Sequence, residues 1–396
     1  MLADQRSTLT GEAIEPALRD GYEIHRTALR HGFDVTLYPR QVLMARHPSS
    51  GTPLSFVHGI PQSSTLAAVT FAQDKRMRRE MLSAAGLPVP EGMTFAIGQE
   101  RDTAKHFAHR VGWPVVVKPV GGDNMREVFA GLRNEKALDE AIDHFRTPEM
   151  ERPTFTRTAY SLTLLLEPDE EDGRTVAPAK YQLLVERHVS GHYLRVLVVD
   201  GTAVSAVQCP AGLADPAGEP NREVLGELHP SIVTLAINAA QTIPGLAVAA
   251  VDMVVDDHRR AASAQEIRIV EFSERPSLSA QAGVSEELSR QLGDLLLTQH
   301  AREVGVNGDP PQEVASIDFA VEGVTDPPGV ISAIGDAATE LGVTPEQLRV
   351  TDRVEGTAEG ALHGPPESIA RIFELLLAGR LAGQRAMLVE EQQRRG

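Results

Sequence analysis

The sequence predicts an α+β protein with more than one domain. Its 396 residues suffice for about two to four domains, each with a core of its own. Helix-like and strand-like patterns alternate between residues 95 and 147, and closely spaced strands follow between 182 and 208. A further series of strands and helices fills the last part of the chain. These patterns predict several α+β units in succession.

The first 70 residues predict a small N-terminal α/β lead-in domain. A helix is expected over residues 13 to 31, and the segment HGFDVTLYPRQVLMARH then combines a turn glycine with two short strands. A second helix is expected from Gln73 to Ala85, because Gly86 and the prolines of PVPEG follow it as a stop signal. This helix opens the next predicted domain, residues 71 to 304.

Within residues 71 to 304, helices and strands follow one another closely. The dipeptide Asp200-Gly201 predicts a tight hairpin between two of the strands. Helices are expected over 103–111, 135–145, 230–242 and 285–304, and strands over 114–118, 128–132, 182–188, 194–199, 202–208, 247–255 and 267–272.

The C-terminal part predicts a separate small module. Residues 305 to 315 (GVNGDPPQEVA) contain glycine, asparagine and two prolines, which indicate a linker. Residues 316 to 382 are compatible with a ferredoxin-like α+β sandwich, and they faintly resemble acylphosphatase. The last segment, 383 to 396, is polar and is expected to be a helix that frays.

Composition narrows the classes of partner. The formal net charge of -17 argues against non-specific nucleic-acid binding, which requires clustered lysine and arginine. The single cysteine, Cys209, fits a reducing compartment. Neither a secretory signal nor an apolar run of about 18 residues is evident. We therefore expect a cytoplasmic protein that acts on small molecules, without nucleic-acid or membrane partners.

Lys118 is the first residue that suggests chemistry. It ends the apolar run PVVVK and is followed by Pro119, Val120 and the glycines Gly121 and Gly122. An ammonium group beside glycines suits contact with phosphate oxygens, because backbone N–H groups can approach an anion there. Taken alone, the same residue is also compatible with a strand-end lysine that reaches solvent.

Two carboxylates lie within otherwise apolar strands. Asp252 interrupts VAAVDMVV, and Glu271 interrupts IRIVEFSERP. Buried carboxylates need a cation or hydrogen bonds, and magnesium prefers oxygen ligands of this kind. Structural ion pairs are the alternative, with partners nearby in sequence: Arg259, Arg260, Arg268 and Arg275. Arg275 also suits neutralisation of a phosphoryl group in transfer.

Glu186 lies in LLVERHVSG, just before a glycine turn between strands. A backbone segment at such a turn can present an N–H and a C=O group to a purine edge. A solvated carboxylate on a strand is the alternative interpretation.

Taken in order, five motifs resemble the ATP-grasp superfamily, in particular the ATP-grasp part of cyanophycin synthetases and of fused glutathione synthetases. The resemblance covers roughly residues 30 to 300. Its motifs are FVHGIPQSSTLAAVTFAQDKRMRREMLSAAGLPVPEG, WPVVVKPVGGDN, LLVERHVSGHYLRVLVVDGTAVSA, ELHPSIVTLAINAAQTIPGLAVAAVDMVV and IVEFSERPSL. The resemblance implies an ATP-grasp fold, in which two α+β subdomains sandwich ATP.

It also implies a carboxylate-amine ligase that uses ATP and Mg²⁺. A carboxylate attacks the γ-phosphate to form an acyl phosphate, and an amine, such as that of an amino acid, displaces phosphate to give an amide. Such catalysis rests on positioning and charge neutralisation. The implied roles are phosphate contact for Lys75, Lys118, Gly121 and Gly122, adenine and ribose contact for Glu186, Val189 and Tyr193, magnesium ligation for Asp252, Glu271 and Ser273, and substrate or acyl-phosphate contact for Arg195, Arg222 and Arg275.

The sequence departs from this resemblance at three places. Ser273 stands where the family usually has asparagine, and Tyr193 where an acidic residue is common. The short segment AGLADPAGEPNREVLG replaces a longer substrate-binding segment of cyanophycin synthetases and leaves Arg222 as the nearby basic residue. Cyanophycin is therefore not the expected product. A degenerate nucleotide-binding or regulatory subunit is the alternative function, and phosphorylation or carboxylation within the superfamily is a third. A homodimer, formed through the C-terminal module, is also expected.

Overall fold

The computed structural model describes residues 9, 14–98, 100–121, 127–147, 169–171, 174–177, 181–210 and 220–394. The chain divides into two compact units. The central unit is Ser64–Pro276. The discontinuous unit combines Met1–Ser63 with Ser277–Gly396.

The central unit contains five described α-helices and eleven described strands. Its helices are α2 (Leu66–Gln73), α3 (Lys75–Ala84), α4 (Arg101–Val111), α5 (Glu135–Arg146) and α6 (Pro230–Gln241). Its strands are β5 (Gly92–Ala96), β6 (Val115–Pro119), β7 (Phe129–Leu132), β8 (Asp169–Glu171), β9 (Arg174–Val176), β10 (Gln182–Arg187), β11 (His192–Val199), β12 (Thr202–Cys209), β13 (Arg222–Glu223), β14 (Val248–Val255) and β15 (Ile267–Ser273).

Two antiparallel sheets organise the central unit. The four-stranded sheet has the order β5-β10-β6-β7, and the five-stranded sheet has the order β13-β12-β11-β14-β15. Side chains of the first sheet form one apolar cluster with α4 and α5, while those of the second form another with α6. Because successive strand residues point to opposite faces, one face of each sheet packs against helices, and the side chains of its other face lie outside that apolar cluster.

The discontinuous unit contains elements from both ends of the chain. Its helices are α1 (Arg19–Arg30), α7 (Ser279–Ala282), α8 (Glu286–Glu303), α9 (Pro327–Glu340) and α10 (Pro366–Leu377). Its strands are β1 (Asp34–Tyr38), β2 (Val42–Arg46), β3 (Pro53–Val57), β4 (Ile60–Pro61), β16 (Ala315–Glu322), β17 (Thr344–Asp352), β18 (Thr357–Gly364) and β19 (Leu388–Gln393).

One eight-stranded sheet joins these two parts of the chain. Its order is β17-β18-β16-β19-β1-β2-β3-β4, and every pairing in it is antiparallel. The contact between the two parts is the pair β1 and β19, in which Val35 lies opposite Glu391. The last strand that the structure describes, β19, therefore lies in the interior of the sheet.

This arrangement corrects the interpretation of residues 383 to 396 as a fraying helix. The segment contains β19, in which Val389 and Glu391 are buried while Glu390 is exposed. The run LVEEQQ looks polar from end to end, because one of its two buried positions holds a glutamate instead of an apolar residue. A partner for that carboxylate, remote in sequence, makes its burial possible.

The partner of Glu391 is His25 of α1, a helix packed against α8, α10 and β1. His25 is fully buried, with Nε2 2.6 Å from Oε2 of Glu391 and Nδ1 3.3 Å from Oε1 of Glu374 on α10. Desolvation alone lowers the pKa of His25, but the two carboxylates outweigh it and raise this pKa from 6.5 to about 9. A protonated His25 thus links the first helix to α10 and β19.

The observed division also differs from the predicted boundaries at 70, 304 and 382. Strands β1 to β4 share a sheet with the C-terminal strands, and α8 lies in the discontinuous unit. Hydrogen bonds between residues some 350 positions apart leave no local signal in the sequence. The prediction therefore divided the chain into consecutive segments. Among the described residues, no helix is both long and apolar enough to cross a membrane.

Candidate functional site

A row of polar residues crosses the five-stranded sheet. Arg195 on β11 lies opposite Asp252 on β14, which lies opposite Glu271 on β15. Residues that face each other in an antiparallel ladder point to the same side of the sheet. Their neighbours Leu194 and Val251 belong to the apolar cluster around α6, so the polar row lies on the other face. The sheet therefore separates its apolar core from a line of charges.

Arg195 and Asp252 form a buried bidentate ion pair. Nε and Nη2 of Arg195 each donate a 2.7 Å hydrogen bond to a different carboxylate oxygen, and the side chains are 2% and 0% exposed. Burial, then the charge of Asp252, raises the pKa of the Tyr193 hydroxyl well above its ordinary value. Burial also raises the pKa of the Cys209 thiol to about 12. Tyr193 and Cys209 are thus neutral polar neighbours of the pair.

A β-bulge shapes the next part of the row. The ladder between β14 and β15 pairs Asp252 with Glu271 but Met253 with Ile269, which leaves Val270 as the extra residue. The carbonyl oxygen of Val270 accepts a 2.9 Å hydrogen bond from Nζ of Lys118. The bulge thus connects the five-stranded sheet to a lysine of the four-stranded sheet.

Lys118 lies on β6, and its ammonium group is 2.7 Å from Oε2 of Glu186 on β10. Both side chains are buried. Burial lowers the pKa of Lys118, Glu186 opposes that change, and the charges of Arg78 and Arg79 add to it. Lys118 is therefore a buried cation that gains from a further anion beside it.

Helix α3 contributes three more cations. Its N-cap is Asp74, whose side chain accepts hydrogen bonds from the first turn, so Lys75 is the first helical residue. Lys75, Arg78 and Arg79 follow the spacing i, i+3, i+4, which places them on one face of the helix. The prediction named only Lys75, although this spacing in the segment KRMRRE is a signal that could have found the two arginines.

Arg78 is bound by three acceptors. Its Nη1 donates to the carbonyl oxygen of Ala72 at 3.0 Å and to that of Phe272, and its Nη2 donates to Oε1 of Glu271. Arg78 and Glu271 are both buried, with side-chain exposures of 7% and 6%. Arg78 therefore holds the carboxylate that was predicted to bind magnesium.

Arg79 lies between α3 and the four-stranded sheet. Its Nη2 donates a 2.6 Å hydrogen bond to the carbonyl oxygen of Pro90, and its Nη1 is 3.9 Å from Oε1 of Glu186. Gly92, opposite Glu186 in the ladder, makes this possible. A Cβ atom at Gly92 would lie 2.6 Å from Arg79 Nη1 and 2.7 Å from Glu186 Cγ.

These side chains line one cleft within the central unit. It is narrow, with a cavity volume of about 20 Å³, which is room for roughly one water molecule. Its charged lining consists of Lys75, Arg78, Arg79, Lys118, Glu186 and Glu271. Four cationic groups and two carboxylates give this lining a formal charge of +2, within a chain whose net charge is -17. The charge of the lining therefore favours an anion, and a polyanion enters this narrow space only if the lining side chains move apart.

The other predicted site residues that the structure describes are not part of the lining of this cleft. Gly121 is buried just after β6, and Val189 is half-buried just after β10. Ser273 Oγ accepts a 3.2 Å hydrogen bond from the backbone N–H group of Arg275. The side chain of Arg275 is buried, with Nε 3.6 Å from Oε1 of Glu274. Gly122 lies outside the described residues.

Arg222 is not brought together with the polar row. It pairs in the ladder with Gln208, which pairs with Leu194, so it belongs to the row on the apolar face of the sheet. Its exposed side chain donates to Glu227 at 2.8 Å. The adjacent residue, Glu223, is the one aligned with the row of Arg195. Arg222 was predicted because it lies in a short connection, and that position does not show toward which face of the sheet its side chain points.

Oxygen donors and charge balance decide whether the predicted metal ligands fit magnesium. Asp252, Glu271 and Ser273 offer only oxygen atoms, which hard cations prefer. Arg195 and Arg78 occupy some lone pairs of the two carboxylates and leave others available. The donor set therefore fits Mg²⁺, although both carboxylates already have a cationic partner. These ion-pair partners are not the four arginines considered from the sequence.

Comparison with known proteins gives two sequence relatives of interest. The chain is 28% identical over 145 residues to the cyanophycin synthetase of Crocosphaera subtropica, which is 37% of this chain and 13% of that protein. It is 27% identical over 212 residues to the D-alanine–D-alanine ligase of Rhodopseudomonas palustris, which is 51% of this chain and 58% of that ligase. No protein-family model matches the chain.

Among solved structures, the D-alanine–D-alanine ligase of Bacillus anthracis matches with a TM-score of 0.41 and 14% identity, over 61% of this chain and 72% of that one. The two sequence matches span 13% of the cyanophycin synthetase and 58% of the D-alanine–D-alanine ligase of Rhodopseudomonas palustris, so the chain matches only part of the length of these relatives. Those relatives support the resemblance to the ATP-grasp superfamily.

Proposed function

We propose that this protein is an ATP- and Mg²⁺-dependent ligase that joins a carboxylate to an amine. The observation that carries the proposal is the cleft itself, which lines a narrow space with four cationic side chains against two carboxylates. A nucleoside triphosphate supplies the negative charge that such a cleft lacks. The similarity to cyanophycin synthetase and D-alanine–D-alanine ligase supports the choice of a ligase among ATP-using enzymes.

The cations of the cleft have distinct proposed roles. Lys75 begins α3 and Lys118 is the penultimate residue of β6, so two different elements hold them toward the same polyanion. Contact with phosphate oxygens would offset the free-energy cost of burying the charged Lys118 ammonium group. Glu186 and the segment that follows it, through Val189 to Tyr193, are proposed to contact adenine and ribose.

Asp252, Glu271 and Ser273 are proposed to hold Mg²⁺. The ion would supply positive charge against the phosphate oxygens where charge develops during transfer. Arg195, fixed by the two hydrogen bonds that it donates to Asp252, keeps a second positive charge in a defined orientation beside that site. Arg275 is proposed to face the acyl phosphate.

The proposed reaction needs no nucleophilic side chain. The substrate carboxylate attacks the γ-phosphate, ADP leaves, and the amine displaces phosphate from the acyl phosphate to form an amide. The protein then acts by holding the reactants together and by neutralising charge. Because the match covers 13% of the cyanophycin synthetase, its substrates are not carried over. We propose a small carboxylate and an amino acid or other amine.

A ferredoxin-like module at the C-terminus is a further part of the proposal. The order β16, α9, β17, β18, α10, β19, with strands arranged β17-β18-β16-β19, supports it. Its fourth strand is β19, so the proposed module extends to Gln393 rather than ending at residue 382.

A nucleotide-binding protein without ligase activity is the second candidate. It is favoured by the carboxylates at the predicted metal site, both of which pair with arginine. The two candidates differ in chemical turnover, not in nucleotide binding.

One pair of assays separates them. Calorimetry with ATP and Mg²⁺ measures binding, and release of phosphate, with mass spectrometry of products, measures turnover across a panel of amino acids. Lys118→Met should weaken ATP binding by about tenfold or more, the worth of a charge-assisted hydrogen bond. Lys136→Met is the matched control, because that lysine is 87% exposed on α5. Binding without turnover on any substrate would favour the second candidate, and equal affinities for both variants would refute the role of the cleft.

A further inference from the structure

Arg78 occupies the carboxylate on which the proposed magnesium site depends. Its guanidinium group contacts Glu271 and is also held by the carbonyl oxygens of Ala72 and Phe272. Three acceptors on two different elements fix this fork of donors in place. Glu271 is therefore part of a preformed ion pair.

This pair opposes the entry of a free metal ion. Arg78 and Glu271 neutralise each other, as do Arg195 and Asp252, so the two carboxylates offer no net charge to a dication. To use Glu271 as a full ligand, the ion must displace a buried guanidinium group. Leaving such a group without its anion is unfavourable by several kcal/mol in typical buried pairs.

A polyphosphate removes that obstacle. Arg78 lies in the same cleft lining as Lys75 and Lys118, within the space where the phosphates are proposed to bind. Phosphate oxygens are acceptors that match the guanidinium fork at least as well as a carboxylate does. Transfer of Arg78 from Glu271 to phosphate keeps the arginine paired and releases the carboxylate.

We propose that Arg78 is an exchangeable guard of the metal site: it pairs with Glu271 when nucleotide is absent and pairs with nucleotide phosphate when it is present, so that Mg²⁺ binds only together with nucleotide. This inference rests on the proposed function and goes beyond it, because it assigns a binding order and a residue that controls it.

The test measures binding of Mn²⁺ alone, with Mn²⁺ standing in for Mg²⁺, by the loss of the free-ion signal in electron paramagnetic resonance. The wild-type protein should bind Mn²⁺ weakly when no nucleotide is present. Arg78→Gln should bind it about tenfold or more tightly, within the range of typical coupling between competing ligands. A merely structural role for Arg78 would lower stability without raising metal affinity.

The matched control is Arg79→Gln, which removes the same charge from the same cleft but from a residue that pairs with Glu186. Arg79→Gln should leave Mn²⁺ affinity near the wild-type value, and Arg78→Gln combined with Glu271→Gln should lose the gain. Equal gains in the two single variants, or none in Arg78→Gln, would overturn the proposal. If Arg78→Gln does not fold, Arg78→Lys keeps the charge with a single ammonium group and should show a smaller gain; no gain in it overturns the proposal too.

Failure of the proposed function gives a different result. Calorimetry of the wild-type protein with a preformed complex of Mn²⁺ and a non-hydrolysable ATP analogue measures nucleotide binding without any substitution at Arg78. Absence of that binding refutes the nucleotide site. Presence of that binding, without a gain in Mn²⁺ affinity in Arg78→Gln, refutes only the proposed role of Arg78.

Discussion

Raising the pH from 6.5 to 9 should weaken the discontinuous unit, because the unfolded chain releases the His25 proton in this range whereas the folded unit still holds it. Its pKa in the folded protein is about 9, against 6.5 for an ordinary histidine. A group whose pKa is raised by folding contributes its full stabilisation below 6.5 and loses it as pH rises through 9. The difference corresponds to about 3 kcal/mol of unfolding free energy, a large share of a typical domain's stability.

The assay follows the two units separately. Hydrogen exchange of peptides from α1, read by mass spectrometry in increasing urea and corrected for intrinsic exchange rates, gives the stability of the discontinuous unit at each pH. Fluorescence of Trp113, the single tryptophan of the chain, follows the central unit in the same samples. His25→Gln should be less stable than wild type at pH 6.5 and should show little further loss up to pH 9.

The result that would refute this reasoning is a wild-type pH dependence that His25→Gln shares. In that case other groups cause the loss, and the contact of His25 with Glu374 and Glu391 does not carry a proton in the folded state. A flat wild-type profile would refute it as well.

Three further changes test the structure. Arg195→Met or Asp252→Leu alone should destabilise the central unit by about 3–5 kcal/mol in urea unfolding, whereas the two together should cost less than either alone, and additive losses would contradict a coupled pair. Gly92→Ala should lower stability by about 1–3 kcal/mol and weaken ATP binding in calorimetry. The control is Gly226→Ala, where an added Cβ meets nothing within 4 Å, and it should change neither quantity. A Gly92→Ala variant with unchanged stability and ATP affinity would contradict the close contact. Deletion of residues 383–396 should abolish exchange protection of α1, and retained protection would show that β19 is dispensable.

Much of the fold was predictable because its elements have strong local signals. The hairpin at Asp200-Gly201 and the helix stop at Gly86 both depend on a few adjacent residues. The partnership of β1 and β19 was not predictable, because it depends on a buried Glu391 that local polarity disguises.

The candidate site shows the same limit. Lys118, Asp252 and Glu271 stand out in sequence, since each is a charge in an apolar strand. Their actual partners come from other elements, and neither Arg78 nor the bulge at Val270 can be paired with them from spacing alone. The sequence therefore identified charged residues without showing which charges meet.

The register of β1 against β19 has a consequence for synthesis on the ribosome. Val35 is made early, but Glu391, its partner in the ladder, is made some 350 residues later. At about 5–20 residues per second, β1 waits on the order of tens of seconds for the strand that completes its sheet. The central unit has by then left the ribosome whole, so it can fold first, while β1 to β4 keep an unpaired edge that invites association with other nascent chains.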